Sequence, residues 1–223
     1  MSTGGPEKRD SRALEPELIR DPQARAEAEA LNGLRQYDAG LAAIQDALER
    51  EGRYRLRPSL ILSLHREALR GISMYAGNFR PGGVEISGSR HAPPGAHLVP
   101  ALVEDLCDEV NDRWDEASPV YLAAYVMWRL NWIHPFADGN GRTSRIASYV
   151  VLSIAARTLL PGTPTIPDQI VDNRKPYFEA LDAADAAWAE GRLDLSKMEQ
   201  LLGRLLAHQL ASFWQQAGGQ ETG

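Results

Sequence analysis

Hydrophobic positions recur every three or four residues along most of this chain, the spacing of helices that bury one face. From Pro22 to Arg50 the pattern predicts a helix with Leu41, Ile44 and Leu48 on its buried side, Gly33 and Gly40 as candidate breaks, and Gly52 as a stop. Pro58 suits the first turn of a second helix, whose stripe of Leu60, Ile61, Leu64, Ala68 and Leu69 ends near Gly71. His65 lies on that stripe and reads as a satisfied core or boundary histidine. Residues 98–114 are helical again. Pro119 opens a helix with Tyr121, Ala124, Tyr125, Trp128 and Trp132 on one face. It stops at His134, because proline at 135 disfavours helical geometry in the residue before it. A helix from Gly141 to Leu159 buries Ile146, Tyr149, Val150 and Ile154, and Pro161, Gly162, Pro164 and Pro167 read as a hard stop. Residues 173–189 form the next helix. The last starts at Leu195 and carries Met198, Leu201, Leu202, Leu205, Leu206, Leu210 and Phe213, a stripe that is core or partner surface.

One stretch breaks the pattern. In residues 76–97, AGNFRPGGVEISGSRHAPPGAH, glycine, proline and serine crowd in while Val84, Glu85 and Ile86 alternate, which predicts a short β-hairpin or extended flap. The class is therefore all-α with one hairpin. The layout is a flexible tail or short helix at 1–22, with a helix candidate near Leu14–Arg20. A helical region at 23–57 packs on a core at 58–216, and 217–223 is a disordered tail.

Composition narrows the function. The 223 residues carry a formal charge of −6, against the basic balance of a general nucleic-acid binder. A single cysteine, Cys107, rules out an intrachain disulfide framework and reads as a small buried hydrophobe. The N-terminus has no apolar signal region and no apolar run approaches a membrane span. The expectation is a cytoplasmic bacterial protein without membrane or nucleic-acid partners, although an effector exported by a non-classical route would look the same.

Chemistry concentrates in IHPFADGNGRTSRI, residues 133–146. A helix delivers His134 to a turn. Gly139, Asn140 and Gly141 permit tight, left-handed backbone, and the next helix begins there with free N–H groups suited to an anion. Arg142 and Arg145, three apart, share a face and reach the same anion. Asp138 is a hard oxygen ligand of the kind Mg²⁺ combines with substrate phosphates. A base, a metal carboxylate, an anion cradle and two guanidinium groups are the parts of phosphoryl or nucleotidyl transfer. The segment lacks the Gly-Lys-Ser/Thr ending of a Walker A loop.

HPFADGNGRTSR resembles the Fic family motif, His-x-Phe-x-Asp/Glu-Gly-Asn-Gly-Arg-x-x-Arg, at every specified position. AGNFRPGGVEISGSRHAPPG is similar to the family's flap, NRKPYFEALDAAD to the segment after its active-site helix, and EALNGLRQYD to an N-terminal helix of many members. The resemblance implies a Fic helical bundle with the flap over the active site, and transfer of AMP from ATP to a Ser, Thr or Tyr hydroxyl of a target protein, releasing pyrophosphate. It implies that His134 deprotonates the hydroxyl, Phe136 anchors the loop, Asp138 holds Mg²⁺, and Asn140 meets the α-phosphate with help from Gly139 and Gly141. Arg142 and Arg145 neutralise the outer phosphates. Val84, Glu85, Ile86 and Ser87 pair by main chain with an extended target segment, and Tyr177 lies near the adenine.

Many members are held off by a helix of pattern Ser/Thr-x-x-x-Glu-Gly/Asn whose Glu pairs with the second motif arginine, here Arg145. Ser11 to Glu15 fits the first five positions, with Pro16 in the Gly/Asn place, so Glu15 is the inhibitory candidate. A separate antitoxin, or no restraint, are the other outcomes. Pairing of two copies through the Leu-rich terminal stripe is a further expectation. Related loops that transfer UMP, GMP or phosphocholine, and a non-catalytic protein-interaction module, stand as alternatives.

Overall fold

The structure is a computed structural model that describes residues 9–13, 15–16 and 18–218. Strand β1 (Ser11–Arg12) leads into α1 (Pro22–Glu49) and α2 (Pro58–Leu69), followed by β2 (Glu85–Ile86). Then come a 3-10 turn (Ala96–Leu98), α3 (Val99–Asp112), α4 (Pro119–Ile133), α5 (Asn140–Ala155), α6 (Ile166–Asp172), α7 (Lys175–Ala189) and α8 (Ser196–Gly218). The all-α class holds.

Helices α4 and α5 form the central pair, with α1 and α2 packed on α5 and with α3, α7 and α8 on α4. The sequence of α4 explains its place: from Leu122 to Leu130 every residue is buried, so it has no face to give to water. Helix α5 meets it through small polar side chains, and Ser148 Oγ donates to the Ala123 carbonyl at 2.8 Å. Three of the tryptophans, Trp128, Trp132 and Trp188, surround the guanidinium of Arg129 at 5.6, 4.3 and 5.0 Å from their ring centres.

Helix α1 runs unbroken for 28 residues. Gly40 is not a break but a close approach, since a Cβ there would lie 3.1 Å from the side chain of Ile146 on α5. Helix α6 falls where the prolines of 161–167 predict a stop. Pro167 sits in its first turn, where a missing N–H costs nothing, and the Asp168 carboxylate accepts from Thr165 N at 3.0 Å and Oγ1 at 2.6 Å.

The flap differs more sharply from expectation. Strand β2 does not fold on itself as a hairpin. It pairs antiparallel with β1 from the N-terminal segment, Ser11 opposite Ile86 and Arg12 opposite Glu85. Ser11 and Arg12, within the segment expected to be a loose tail or short helix, are thus extended and docked. The segment's described residues between β1 and α1 are non-helical, and Leu14 and Glu17 of the helix candidate lie outside the described residues. Helix α8 continues through Gly218, and the remainder of the expected C-terminal tail also lies outside them.

Candidate active site

His134 caps α4 in the left-handed conformation, φ 51° and ψ 58°, strained for a residue with a Cβ. Arg80 holds it there. Its backbone N–H donates to Pro135 O at 2.9 Å and its Nε to His134 O at 2.8 Å. The remaining nitrogens reach the carbonyls of Gly82 and Pro94 at the base of the flap, so one buried guanidinium joins flap and turn. His134 Nδ1 faces the Asn131 carbonyl at 3.3 Å. A carbonyl only accepts, so Nδ1 carries the proton and Nε2 presents a bare lone pair. Burial pushes the imidazole down to about 4, against a weaker upward pull from the Asn131 carbonyl, and it is neutral at pH 7.

The turn after His134 is built from inside. Phe136 is buried and stacks on His65, ring centres 3.7 Å apart and planes 7° apart. His65 Nδ1 accepts from Gly77 N at 3.0 Å, which leaves Nε2–H to donate to Asp138 O at 3.0 Å. Asn140 clamps the turn with both amide atoms, Oδ1 on Phe136 N at 2.9 Å and Nδ2 on Phe136 O at 2.8 Å. Its side chain therefore shapes the loop, with only the second Nδ2 hydrogen left to face the cleft. Gly139, at φ 77°, is pressed against Leu69.

Over this turn lies a cleft of 470 Å³, lined by the turn residues Asp138 to Gly141 and by five arginines, Arg9, Arg25, Arg142, Arg145 and Arg174, against the carboxylates of Asp10, Glu29 and Asp138. The charge suits a polyanion. Among the described residues Arg145 has no carboxylate within ion-pair distance; it hydrogen-bonds Tyr177, and desolvation lowers its pKa. Asp138 Oδ1 accepts from Gly139 N at 2.5 Å, while Oδ2 has long contacts to Arg142 (3.3 Å) and Arg25 (3.4 Å). A half-exposed carboxylate oxygen facing an anion cleft fits Mg²⁺ that shares phosphate oxygens.

Two expectations change. Tyr177 lines the adjacent cavity of 80 Å³ with Arg174 and Phe178, but its ring is only 2% exposed. Its hydroxyl lies 3.5 Å from Ser144 Oγ and near the Arg145 guanidinium, so in this arrangement the buried ring is packed beside a guanidinium and does not face the cleft openly. Glu15 is not at Arg145. Its Oε1 accepts from Met74 N at 2.8 Å and from the hydroxyl of Ser73, capping the loop after α2. In this arrangement the carboxylate is committed elsewhere, and the inhibitory pairing is absent.

The structure adds residues that motif reading passed over. Arg25 and Glu29 reach the cleft from α1, Glu29 contacting Arg25 at 3.2 Å and Arg142 at 4.0 Å. Arg174 enters from the residue before α7, within a segment marked only by the resemblance. Nothing in the local sequence marks a cleft role for Arg25 or Glu29. Arg80 was legible only as part of the flap resemblance, without a role.

The two buried histidines imply a pH dependence of folding. Burial is the chief cause of both low values, about 4 for His65 as for His134, against 6.5 in an unfolded chain. Between these limits the unfolded state binds protons that the folded state refuses, so stability is fullest above 6.5 and falls as pH drops toward 4. Asp185, raised chiefly by burial, works in the opposite direction. Urea midpoints at pH 7.5 and 5 should show the acid sample less stable, with a smaller difference in His65→Gln.

Comparison with known proteins places this geometry. Residues 55–152 match the family model described as Fic/DOC family. A "Protein adenylyltransferase Fic" of Drosophila willistoni is 38% identical over 129 residues, covering 56% of this chain and 24% of that protein. A protein of the same description from Aedes aegypti is 33% identical over 127 residues, covering 56% and 24%. The chain spans about a quarter of the length of these curated relatives. Among solved structures, Fic-1 (aa134 - 508) from C. elegans superposes with TM-score 0.65 at 23% identity, covering 92% of this chain and 55% of that one. A Fic family protein from Desulfovibrio desulfuricans G20 gives 0.62 at 24%, covering 92% and 57%. These structural matches speak to the fold.

Proposed function

We propose that this chain, whose residues 55–152 match the Fic/DOC family model, is a protein adenylyltransferase that moves AMP from ATP to a side-chain hydroxyl of a protein and releases pyrophosphate. The observation that carries the reading is a bare imidazole nitrogen, already holding a hydroxyl at 2.8 Å, at the edge of an arginine-lined cleft over a glycine turn. The names of the relatives support it, since those proteins are described as adenylyltransferases.

Each residue has a task in that chemistry. His134 Nε2 takes the hydroxyl proton, and its fixed tautomer leaves that lone pair nothing else to do. Backbone N–H groups at the start of α5 meet the α-phosphate oxygens as charge builds there. Arg142 and Arg145 bind the outer phosphates and stabilise the departing pyrophosphate. Asp138 would hold Mg²⁺, which when bound neutralises phosphate charge. Arg80 and His65 keep the turn in shape for all of these. The edge of β2 that β1 covers in this structure is the place for a target's backbone, by strand addition in place of β1.

The test uses ATP labelled at either end. Label in the α-phosphate should enter protein in the presence of Mg²⁺, and label in the γ-phosphate should not. The opposite result identifies a kinase and overturns the proposal. UTP, GTP and CDP-choline run beside ATP decide the donor, with ATP expected to dominate.

A further inference from the structure

We infer that Ser11 of this chain is itself an acceptor, adenylylated in cis by the active site on which it rests; the inference depends on the adenylyltransferase reading above. Among the described residues, Ser11 has the hydroxyl within hydrogen-bond distance of the His134 lone pair, Oγ to Nε2 2.8 Å. With Nδ1–H turned to the Asn131 carbonyl, the only proton that can lie on this axis is the serine's. The hydroxyl is thus hydrogen-bonded in the direction in which it would be deprotonated. The same oxygen accepts from Asn140 Nδ2 at 3.3 Å, at the first residue of α5.

The backbone around Ser11 is held as an extended substrate would be. Strand β1 adds to the flap edge at β2, and the ladder is extended by Ser87 N donating to Asp10 O at 3.0 Å. Ser87 Oγ bonds both backbone groups of Asp10, each at 3.1 Å. One residue further, Arg9 forms a two-pronged ion pair with Asp182 at 2.8 and 2.7 Å and lies 4.6 Å over the ring of Phe178. Main-chain pairing alone would tolerate a shift in register, which moves every side chain to the other face. The Arg9 anchor fixes the register that aims Ser11 at the imidazole.

Seating the segment does not close the phosphate site. Ser11 lines the rim of the 470 Å³ cleft, and Arg142, Arg145 and Arg174 still line the same space. Acceptor and phosphates therefore have separate places that meet at Ser11 Oγ. The step balances simply. Oγ gives its proton to His134 Nε2 and forms a bond to the α-phosphorus of ATP. The bond from that phosphorus to the bridging oxygen of the β-phosphate breaks, pyrophosphate leaves, and the imidazolium returns its proton to solvent. No electron transfer is involved. A tethered, oriented hydroxyl needs no encounter, so the reaction is first order in protein.

The full chain incubated with ATP and Mg²⁺, followed by intact mass measurement and peptide mapping, tests this. One AMP per chain is expected, on Ser11, with a rate constant unchanged on dilution; the adduct is lost in Ser11→Ala and returns in Ser11→Thr. A rate constant that rises with protein concentration means transfer between copies and overturns the intrachain assignment. The same incubation with added lysate proteins separates the two readings. Adducts on those proteins with Ser11 clean overturn the inference and leave the adenylyltransferase standing. No adduct on any protein overturns both.

Discussion

His134→Ala will bind ATP and transfer none of it. The substitution deletes the one group whose lone pair meets the acceptor hydroxyl, at 2.8 Å in this structure. It leaves the arginines, the glycine turn and Asp138 in place. A positioned general base contributes about 10² to 10⁴ in rate, so the loss should appear in kcat while the nucleotide dissociation constant stays within a few-fold. Position 134 is left-handed, φ 51°, so alanine there carries some strain. A His134→Asn variant, with a side chain that tolerates this backbone better, separates strain from chemistry: it should fold like the parent and be equally inactive. Transfer surviving in either variant removes His134 from the mechanism.

Gly139→Ala should be the most damaging small change in the site. Two costs combine. The position has φ 77°, where a Cβ costs about 1–2 kcal/mol. That Cβ would also stand 2.3 Å from Leu69 Cδ2 and 3.4 Å from His65 Cδ2, both on residues buried in α2. Overpacking of this kind costs about 1–3 kcal/mol. A loss of about 3 kcal/mol is expected in urea unfolding, with activity falling further than stability because relief must come from moving the turn that carries Asp138 and the start of α5. Gly33→Ala is the control. Nothing lies within 4 Å of that site in mid-α1, so helix propensity should make it neutral or stabilising. Equal effects at the two positions would refute the steric account.

The helical core was legible because its signals are local. An apolar stripe, a proline in a first turn and a glycine after a last one each act within a few residues, and they located α2, α3, α4, α5, α7 and α8 to within a few positions. Helix α6 was hidden by the same rule applied in the wrong sense, since Pro167 was read as a breaker where Thr165 and Asp168 make it a start. The motif from His134 to Arg145 was legible because its residues are contiguous and their chemistry is mutually dependent.

What the sequence hid is long-range. Arg25 and Asp138 are 113 positions apart, and Ser11 and His134 are 123 apart. No periodicity links such pairs. Glu15 shows the same limit from the other side: four-residue spacing from Ser11 suggests an inhibitory helix, whereas Ser11 and Arg12 form a strand and Glu15 is non-helical. It is Ser11, the residue offered only as the start of that pattern, that reaches the catalytic imidazole. Two residues cannot nucleate a visible strand signal by themselves, and β1 exists because β2 offers it an edge.

The central claim is that the triphosphate lies over the glycine turn with its α-phosphorus beside His134. A crystal structure of the chain with a non-hydrolysable ATP analogue and Mg²⁺ tests it directly. The account predicts the β- and γ-phosphates on Arg142 and Arg145, the metal on Asp138, and the α-phosphorus in line between Nε2's hydroxyl partner and the leaving oxygen. A nucleotide bound the other way round, with its γ-phosphate nearest His134, or a turn that stays empty at saturating analogue, would contradict it.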